Sequence, residues 1–122
     1  ERYRETILAT FEAKQNIASP FVAWGLLTRA MLDVALDCIP AQHLRQLFER
    51  ILADIGANRS GLPDLVQFWP ATRTYRLIEV KGPGDRLQDN QIRWLTHCCA
   101  HGIPVEVCKV RRASRTDAAQ AD

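Results

Sequence analysis

The chain has 122 residues, a length that suits one ordinary domain. Hydrophobic residues make up 47% of it and charged residues 25%, which predicts a packed core and excludes a largely disordered chain. The formal net charge of only +2 predicts no strong overall field, so binding to a polyanion would have to come from a local patch of charge.

The sequence shows neither an export signal nor a membrane span. It begins with ERYRETIL rather than Met, and no apolar run approaches the roughly 18 residues that a membrane span needs. We therefore expect a piece of a longer intracellular protein. Four cysteines fit no paired zinc-binding pattern and are expected to be reduced core residues, namely Cys38, Cys98, Cys99 and Cys108.

Helices are expected at the start of the chain. Apolar residues recur at helical spacing over residues 1–15, and the NIASPF segment with Pro20 predicts a turn after them. Thr28 is a suitable N-cap for a second helix that extends to Cys38.

A third helix is expected to begin at Pro40. It carries an apolar stripe from Leu44 to Ile55, and Gly56 is its expected C-cap. The NRSG segment that follows predicts a polar turn with Arg59 at its centre.

The pattern then changes to strands. Residues 62–69 and 75–81 form two short apolar segments, and the PATR segment between them predicts a hairpin turn. Two strands joined in this way run antiparallel.

A helix and a last strand are expected after the hairpin. Asp85 with Gln88 three residues later resembles a capping box, so the helix is expected to begin near Arg86 and to stop at Gly102. Valines at alternate positions from Val105 mark the last strand. Helices, hairpin, helix and strand in this order predict an α/β fold with a small mixed sheet.

Charged residues at the ends of the predicted strands suggest a catalytic site. Side chains alternate along a strand, so Glu79 and Lys81 share one face and lie about 6.6 Å apart along it. The hairpin can bring Asp64 beside Glu79. Two carboxylates and the carbonyl of Val80 would form an all-oxygen cluster that suits Mg²⁺ or Mn²⁺, with Lys81 stabilising charge that develops on a phosphate.

The following helix adds a polar group to this site. Gln91 falls on the helix face that packs inward, where it needs hydrogen-bonding partners. Simpler interpretations exist: Glu79 and Lys81 could form a structural ion pair, and Asp64 after Pro63 could belong to a turn. Four basic residues could contact DNA phosphates or could be ordinary surface charges, namely Arg59, Arg86, Arg93 and Lys109. Arg59 and Arg86 are favoured because both flank the predicted site.

The combination of PD at 63–64 with EVK at 79–81 resembles the PD-(D/E)XK nuclease motif. The wider run GLPDLV…LIEVKGPGDRLQDNQIRWL…GIPVEVCKV is similar to the VRR-NUC domain, particularly its form in the Fanconi anaemia-associated nuclease family of bacterial type. This resemblance implies a restriction-endonuclease-like core and a nuclease that cuts DNA at 5′ flaps and repairs interstrand crosslinks with Mg²⁺ or Mn²⁺.

The resemblance also implies roles for single residues. Asp64, Glu79 and the Val80 carbonyl would hold the metal, Lys81 would be catalytic, and Gln91 would lie in a supporting helix. A further metal-binding acid is usual in this family upstream of the PD strand. The candidates in this chain are Glu5, Glu12 and Glu49. None of the three has convincing flanking residues.

The expected organisation is residues 1–43 as N-terminal helices, 44–110 as the nuclease core and 111–122 as a disordered tail. The missing acid suggests the C-terminal part of a divided active site, with branched or 5′ flap DNA and the rest of the same protein upstream of Glu1 as partners and no membrane. Two alternatives stay open: a homodimeric resolvase of Holliday junctions, and a non-catalytic DNA-binding module.

Overall fold

The computed structural model describes residues 2–17 and 25–113. The predicted turn at Pro20 and most of the predicted tail lie outside the described residues. Helices alternate with a small sheet, in the order α1 (Arg2–Lys14), α2 (Arg29–Cys38), α3 (Ala41–Ala53), α4 (Ile55–Asn58), β1 (Leu65–Trp69), β2 (Thr74–Lys81), α5 (Asp89–Ala100) and β3 (Val105–Lys109). The predicted α/β class is confirmed.

The sheet has the strand order β1-β2-β3 and is mixed. Residues 70–73 form the turn between β1 and β2, and β3 pairs with β2 in parallel from Leu77↔Val105 to Lys81↔Lys109. The N–H of Val110 donates to the carbonyl of Lys81 at 2.7 Å and closes the ladder. The carboxyl ends of β2 and β3 therefore meet at one edge of the sheet.

The described residues fall into two compact units, Glu1–Phe48 with Phe68–Tyr75, and Glu49–Gln67 with Arg76–Asp122. In the first unit, Thr28 caps α2 by accepting from the N–H of Met31 at 3.1 Å, as the sequence predicts. The predicted division into residues 1–43, 44–110 and 111–122 stays a prediction.

The second unit has its core around Trp94, which lies on α5 and is 1% exposed. The Trp94 indole N–H donates to the carbonyl of Asn58 at 3.0 Å, and the Arg50 guanidinium lies 5.2 Å from the indole centroid. Cys98 and Ile103 are buried as well. The predicted core cysteines are confirmed at Cys38 and Cys98, whereas Cys99 and Cys108 are exposed.

Element boundaries differ from the sequence prediction where a local polar group competes. The third helix ends at Ala53 rather than at Gly56, because the carboxylate of Asp54 accepts from the N–H of Ala57 at 3.1 Å and starts α4. β1 begins at Leu65 rather than at residue 62, and Pro63 has no N–H to give to the ladder.

The capping box of α5 lies three residues later than predicted. Gln88 and Gln91 form it, and α5 begins at Asp89 instead of near Arg86. The carboxylate of Asp85 accepts instead from the N–H of Gly82 at 2.9 Å and closes the turn after β2. None of the helices described combines the length and apolar character that crossing a bilayer requires.

Candidate active site

The carboxyl end of β2 carries two buried charges. Glu79 is 1% exposed and Lys81 is 9% exposed. Because side chains alternate along a strand, both face the same side of the sheet. The Nζ atom of Lys81 lies 3.5 Å from Oε1 of Glu79, so the two groups form a close ion pair within the second unit.

Gln91 joins this pair to the start of α5. Its Oε1 accepts from Nζ of Lys81 at 2.8 Å and from the N–H of Gln88 at 2.8 Å. Its Nε2 donates to Oε1 of Glu79 at 3.0 Å. One amide therefore fixes the Glu79 carboxylate and the Lys81 ammonium while it also caps the helix.

Asp64 approaches the same strand from the start of β1. Its Oδ2 accepts from the N–H of Val80 at 2.9 Å. The N–H and C=O of one strand residue point to the same side, so the Val80 carbonyl is directed toward the side on which Asp64 lies. Asp64, Glu79, Val80, Lys81 and Gln91 thus come together as the sequence spacing predicts, while their chemical roles stay predictions.

The two carboxylates repel one another in a partly dehydrated place. Burial, and after it the negative charge of Asp64, raises the pKa of Glu79, and the positive charge of Lys81 opposes this effect. Oε2 of Glu79 is buried and has no hydrogen-bonding partner among the described residues. A buried acceptor of this kind is costly unless a donor or a cation meets it.

The donor set fits a hard divalent cation, since two carboxylates and a backbone carbonyl offer only oxygen. In the described part of the chain, no group of three or more His, Cys, Asp or Glu side chains could hold a metal ion. The upstream candidates Glu5, Glu12 and Glu49 therefore do not complete such a group here. Glu12 instead pairs with Arg29 at 2.6 Å.

Arg59 and Arg86 are both exposed. Arg59 follows α4 directly, and Arg86 lies in the loop that links β2 to α5. Within the described residues, neither arginine makes an ion pair with Asp64 or Glu79. Their contact with DNA phosphates stays a prediction.

The NRSG segment approaches α5 more closely than its sequence predicts. A Cβ on Gly61 would lie 2.8 Å from backbone atoms of Asn90, and Gly61 has a φ of +89°. A cavity of about 570 Å³ lies beside this approach and is lined by Gly56, Ala57, Ser60, Leu87, Gln88, Asp89, Asn90 and Arg93. The glycine in NRSG was the available signal, because only glycine tolerates this backbone so near another chain segment.

A mixed sheet with an Asp, a Glu and a Lys at adjoining strand ends defines the PD-(D/E)XK class. Residues 1–112 match the family model of the VRR-NUC domain. The chain belongs to the VRR-NUC domain family, which confirms the resemblance inferred from its motifs.

Relatives with this domain carry one name across distant organisms. The chain is 60% identical over 109 residues to the Fanconi-associated nuclease 1 homolog of Pseudomonas aeruginosa, covering 89% of this chain and 20% of the relative. It is 35% identical over 113 residues to human Fanconi-associated nuclease 1, covering 90% of this chain and 11% of the relative. The chain thus spans a fifth or less of the length of these relatives.

The fold is also similar to that of solved structures. The crystal structure of paFAN1 bound to 2nt 5′flap DNA with gap superimposes with a TM-score of 0.86 at 56% identity, covering 92% of this chain and 21% of that chain. The complex of the same protein with 1nt 5′flap DNA with gap gives a TM-score of 0.84 at 55% identity. The restriction-endonuclease-like core implied by the sequence is therefore confirmed as the fold.

Proposed function

We propose that this chain carries the hydrolytic centre of a metal-dependent DNA nuclease that cleaves branched DNA at 5′ flaps and acts in DNA repair, including the repair of interstrand crosslinks. The observation that carries the proposal is the buried carboxylate of Glu79. Its Oε2 has no hydrogen-bonding partner among the described residues, and burial, followed by the negative charge of Asp64, raises the pKa of Glu79.

Asp64, Glu79 and the carbonyl of Val80 are the residues that would hold Mg²⁺ or Mn²⁺. When bound, such an ion would polarise a phosphate group and make a water molecule more acidic. The burial of Glu79 and its repulsion from Asp64 both favour binding of a cation, because a cation would neutralise the two carboxylates. Fewer than four protein oxygens would suit an ion that keeps several waters, as Mg²⁺ does.

Lys81 would act on the phosphate. Its ammonium is held by Gln91 at 2.8 Å and by Glu79 at 3.5 Å, so it is fixed before substrate arrives. A cation held in this way stabilises the negative charge that develops on a phosphate oxygen without reorganising. Gln91 positions both Lys81 and Glu79 through a single amide.

The proposed substrate rests on the relatives. The similar crystal structures hold 5′ flap DNA, and relatives from bacteria to human bear the name Fanconi-associated nuclease 1. Because this chain spans a fifth or less of those proteins, the rest of the same protein is the proposed partner for selecting the flap. We place the protein in the bacterial cytoplasm and nucleoid, or in the nucleus of a eukaryote.

The proposal is tested with the longer protein that contains this chain, using Asp64→Asn and Glu79→Gln. We expect each substitution to abolish cleavage of a 5′ flap in Mg²⁺ and to weaken Mn²⁺ binding measured by calorimetry. Flap cleavage at the wild-type rate by Glu79→Gln would reject the assignment. Unchanged Mn²⁺ affinity in both variants would show that these carboxylates do not hold the ion.

A further inference from the structure

Lys109 lies beside the proposed catalytic lysine in the sheet. It is the last residue of β3, and its Cα is the registered partner of Lys81 on β2. Registered partners on adjacent strands lie about 5 Å apart and point to the same face. Lys109 is exposed, whereas Lys81 is buried. The ammonium group of Lys109 therefore lies on the solvent-exposed side of the carboxyl ends of β2 and β3.

Two like charges on adjacent strands are unfavourable for folding. The charge of Lys81 is met by Glu79 at 3.5 Å, but Lys109 makes no ion pair with any residue that the structure describes. Glu106, the one acid of β3, pairs with Arg76 at 2.6 Å and falls on the opposite face of the strand. The two acids on these strands thus pair with other residues, Glu79 with Lys81 and Glu106 with Arg76.

Positive charge continues past the strand end. Arg111 and Arg112 follow Lys109 within three residues, and both are exposed. The hydrogen bond from Val110 to the Lys81 carbonyl at 2.7 Å holds this end of β3 against the catalytic strand. Positively charged side chains held beside the proposed phosphate-cleaving centre are suited to contact the phosphates of a nucleic-acid backbone.

We propose that Lys109 binds a DNA backbone phosphate next to the scissile one and so positions the substrate on Lys81. This inference rests on the proposed nuclease function and deepens it. A different role of Lys109 is to block edge-to-edge pairing of β3, because charged lysines commonly protect edge strands. Substituting Lys109 would weaken DNA binding if it contacts a phosphate. The same substitution would leave DNA affinity unchanged if Lys109 only protects the edge strand.

The test uses the longer protein that contains this chain and a 5′ flap DNA, in EDTA so that the DNA stays intact. We expect Lys109→Gln to weaken binding about 3- to 10-fold at low salt and to lower the slope of log affinity against log salt by about one. Lys109→Arg should restore both quantities. Lys14→Gln is the matched control, since Lys14 lies in the last turn of α1 and gives the same change of charge.

A wild-type salt slope for Lys109→Gln would overturn the proposal. A second measurement does not depend on the folding of any variant. With the wild-type protein, bound DNA should protect Lys109 from acetylation while Lys14 reacts equally with and without DNA, as read by mass spectrometry. Equal labelling of Lys109 in both conditions would also overturn the proposal.

The outcomes separate this inference from the proposed function. If Glu79→Gln cleaves normally but Lys109→Gln binds weakly, the metal centre is wrong and the DNA contact stands. If Glu79→Gln is inactive and Lys109→Gln matches Lys14→Gln, the metal centre stands and the phosphate contact is rejected.

Discussion

Two clusters of charged residues in this chain use the same interactions in opposite surroundings. Between α1 and α2, Arg4 lies 3.2 Å from Asp33 and 2.5 Å from Asp37, and Arg29 lies 2.6 Å from Glu12. The side chains of these pairs are 30–58% exposed. The side chains of Glu79 and Lys81 at the end of β2 are only 2% and 11% exposed.

The contrast separates a cluster that serves the fold from one that we propose serves a ligand. In the α1–α2 cluster, solvent screens each charge, so these ion pairs contribute little to the free energy of folding beyond holding the two helices together. Acidic residues also outnumber basic ones in this cluster. The β2 cluster is largely shielded from solvent, and one Glu79 oxygen has no partner in the described residues. Folding alone does not favour a buried carboxylate oxygen without a partner, whereas binding a cation does.

Of the changes that compare the two clusters beyond the metal-binding carboxylates, the largest effect should come from removing the buried ammonium of Lys81. We expect Lys81→Met to lower kcat for flap cleavage by about 100-fold or more, because a fixed charge that stabilises a developing oxyanion is lost. The measurement is single-turnover cleavage by the longer protein in Mg²⁺. Arg29→Gln in the α1–α2 cluster is the matched control, and a similar loss in that variant would remove the contrast.

A smaller loss should follow from Gln91→Ala. This change leaves Nζ of Lys81 and the N–H of Gln88 without their shared acceptor. We expect kcat to fall about 10-fold, which is typical for a residue that orients a catalytic group. A kcat for Gln91→Ala equal to that of the wild type would contradict the positioning role.

The buried carboxylate should cost stability when metal is absent. Burial raises the pKa of Glu79, so in the pH window above its ordinary range the folded state binds more protons than the unfolded state. Stability then falls as pH rises through that window. In EDTA at neutral pH we expect Glu79→Gln to raise the free energy of unfolding, because the neutral amide carries no charge to bury.

This gain should vanish as pH falls below the ordinary carboxyl range, where wild-type Glu79 is protonated in both states. Thermal unfolding at a series of pH values measures it. A wild-type protein that is more stable than Glu79→Gln at neutral pH without metal would show that the carboxylate stabilises the fold by itself.

The smallest effect is expected in the exposed cluster. Arg29→Gln removes contacts to Glu12 at 2.6 Å and Asp33 at 3.4 Å, but exposed ion pairs contribute less than about 1 kcal/mol. The change in melting temperature should shrink further in 1 M salt, where the screening length is about 3 Å. A loss that persists at high salt would indicate packing by the Arg29 stem.

The sequence predicted the order of the helices and strands better than their first and last residues. Periodicity predicted seven of the eight elements in the described residues, all except the short α4, because it depends on which faces are buried. It misplaced the start of α5, since Asp85 and Gln88 offer two equally good caps by spacing. In the structure Asp85 accepts from the N–H of Gly82, and Gln91 accepts both from the N–H of Gln88 and from Lys81 on β2. The contact with Lys81 joins two elements, so local spacing does not reveal it.

The sequence by itself determined the residues of the candidate site and the family. The motif at 63–64 and 79–81 specifies which side chains can share a face, because strand geometry repeats every two residues. The tertiary structure decided what surrounds them: the dehydration of Glu79, the three hydrogen bonds of Gln91 and the pairing of Lys81 with Lys109 across β2 and β3. Solvation and register depend on segments distant in sequence, so no local pattern encodes them.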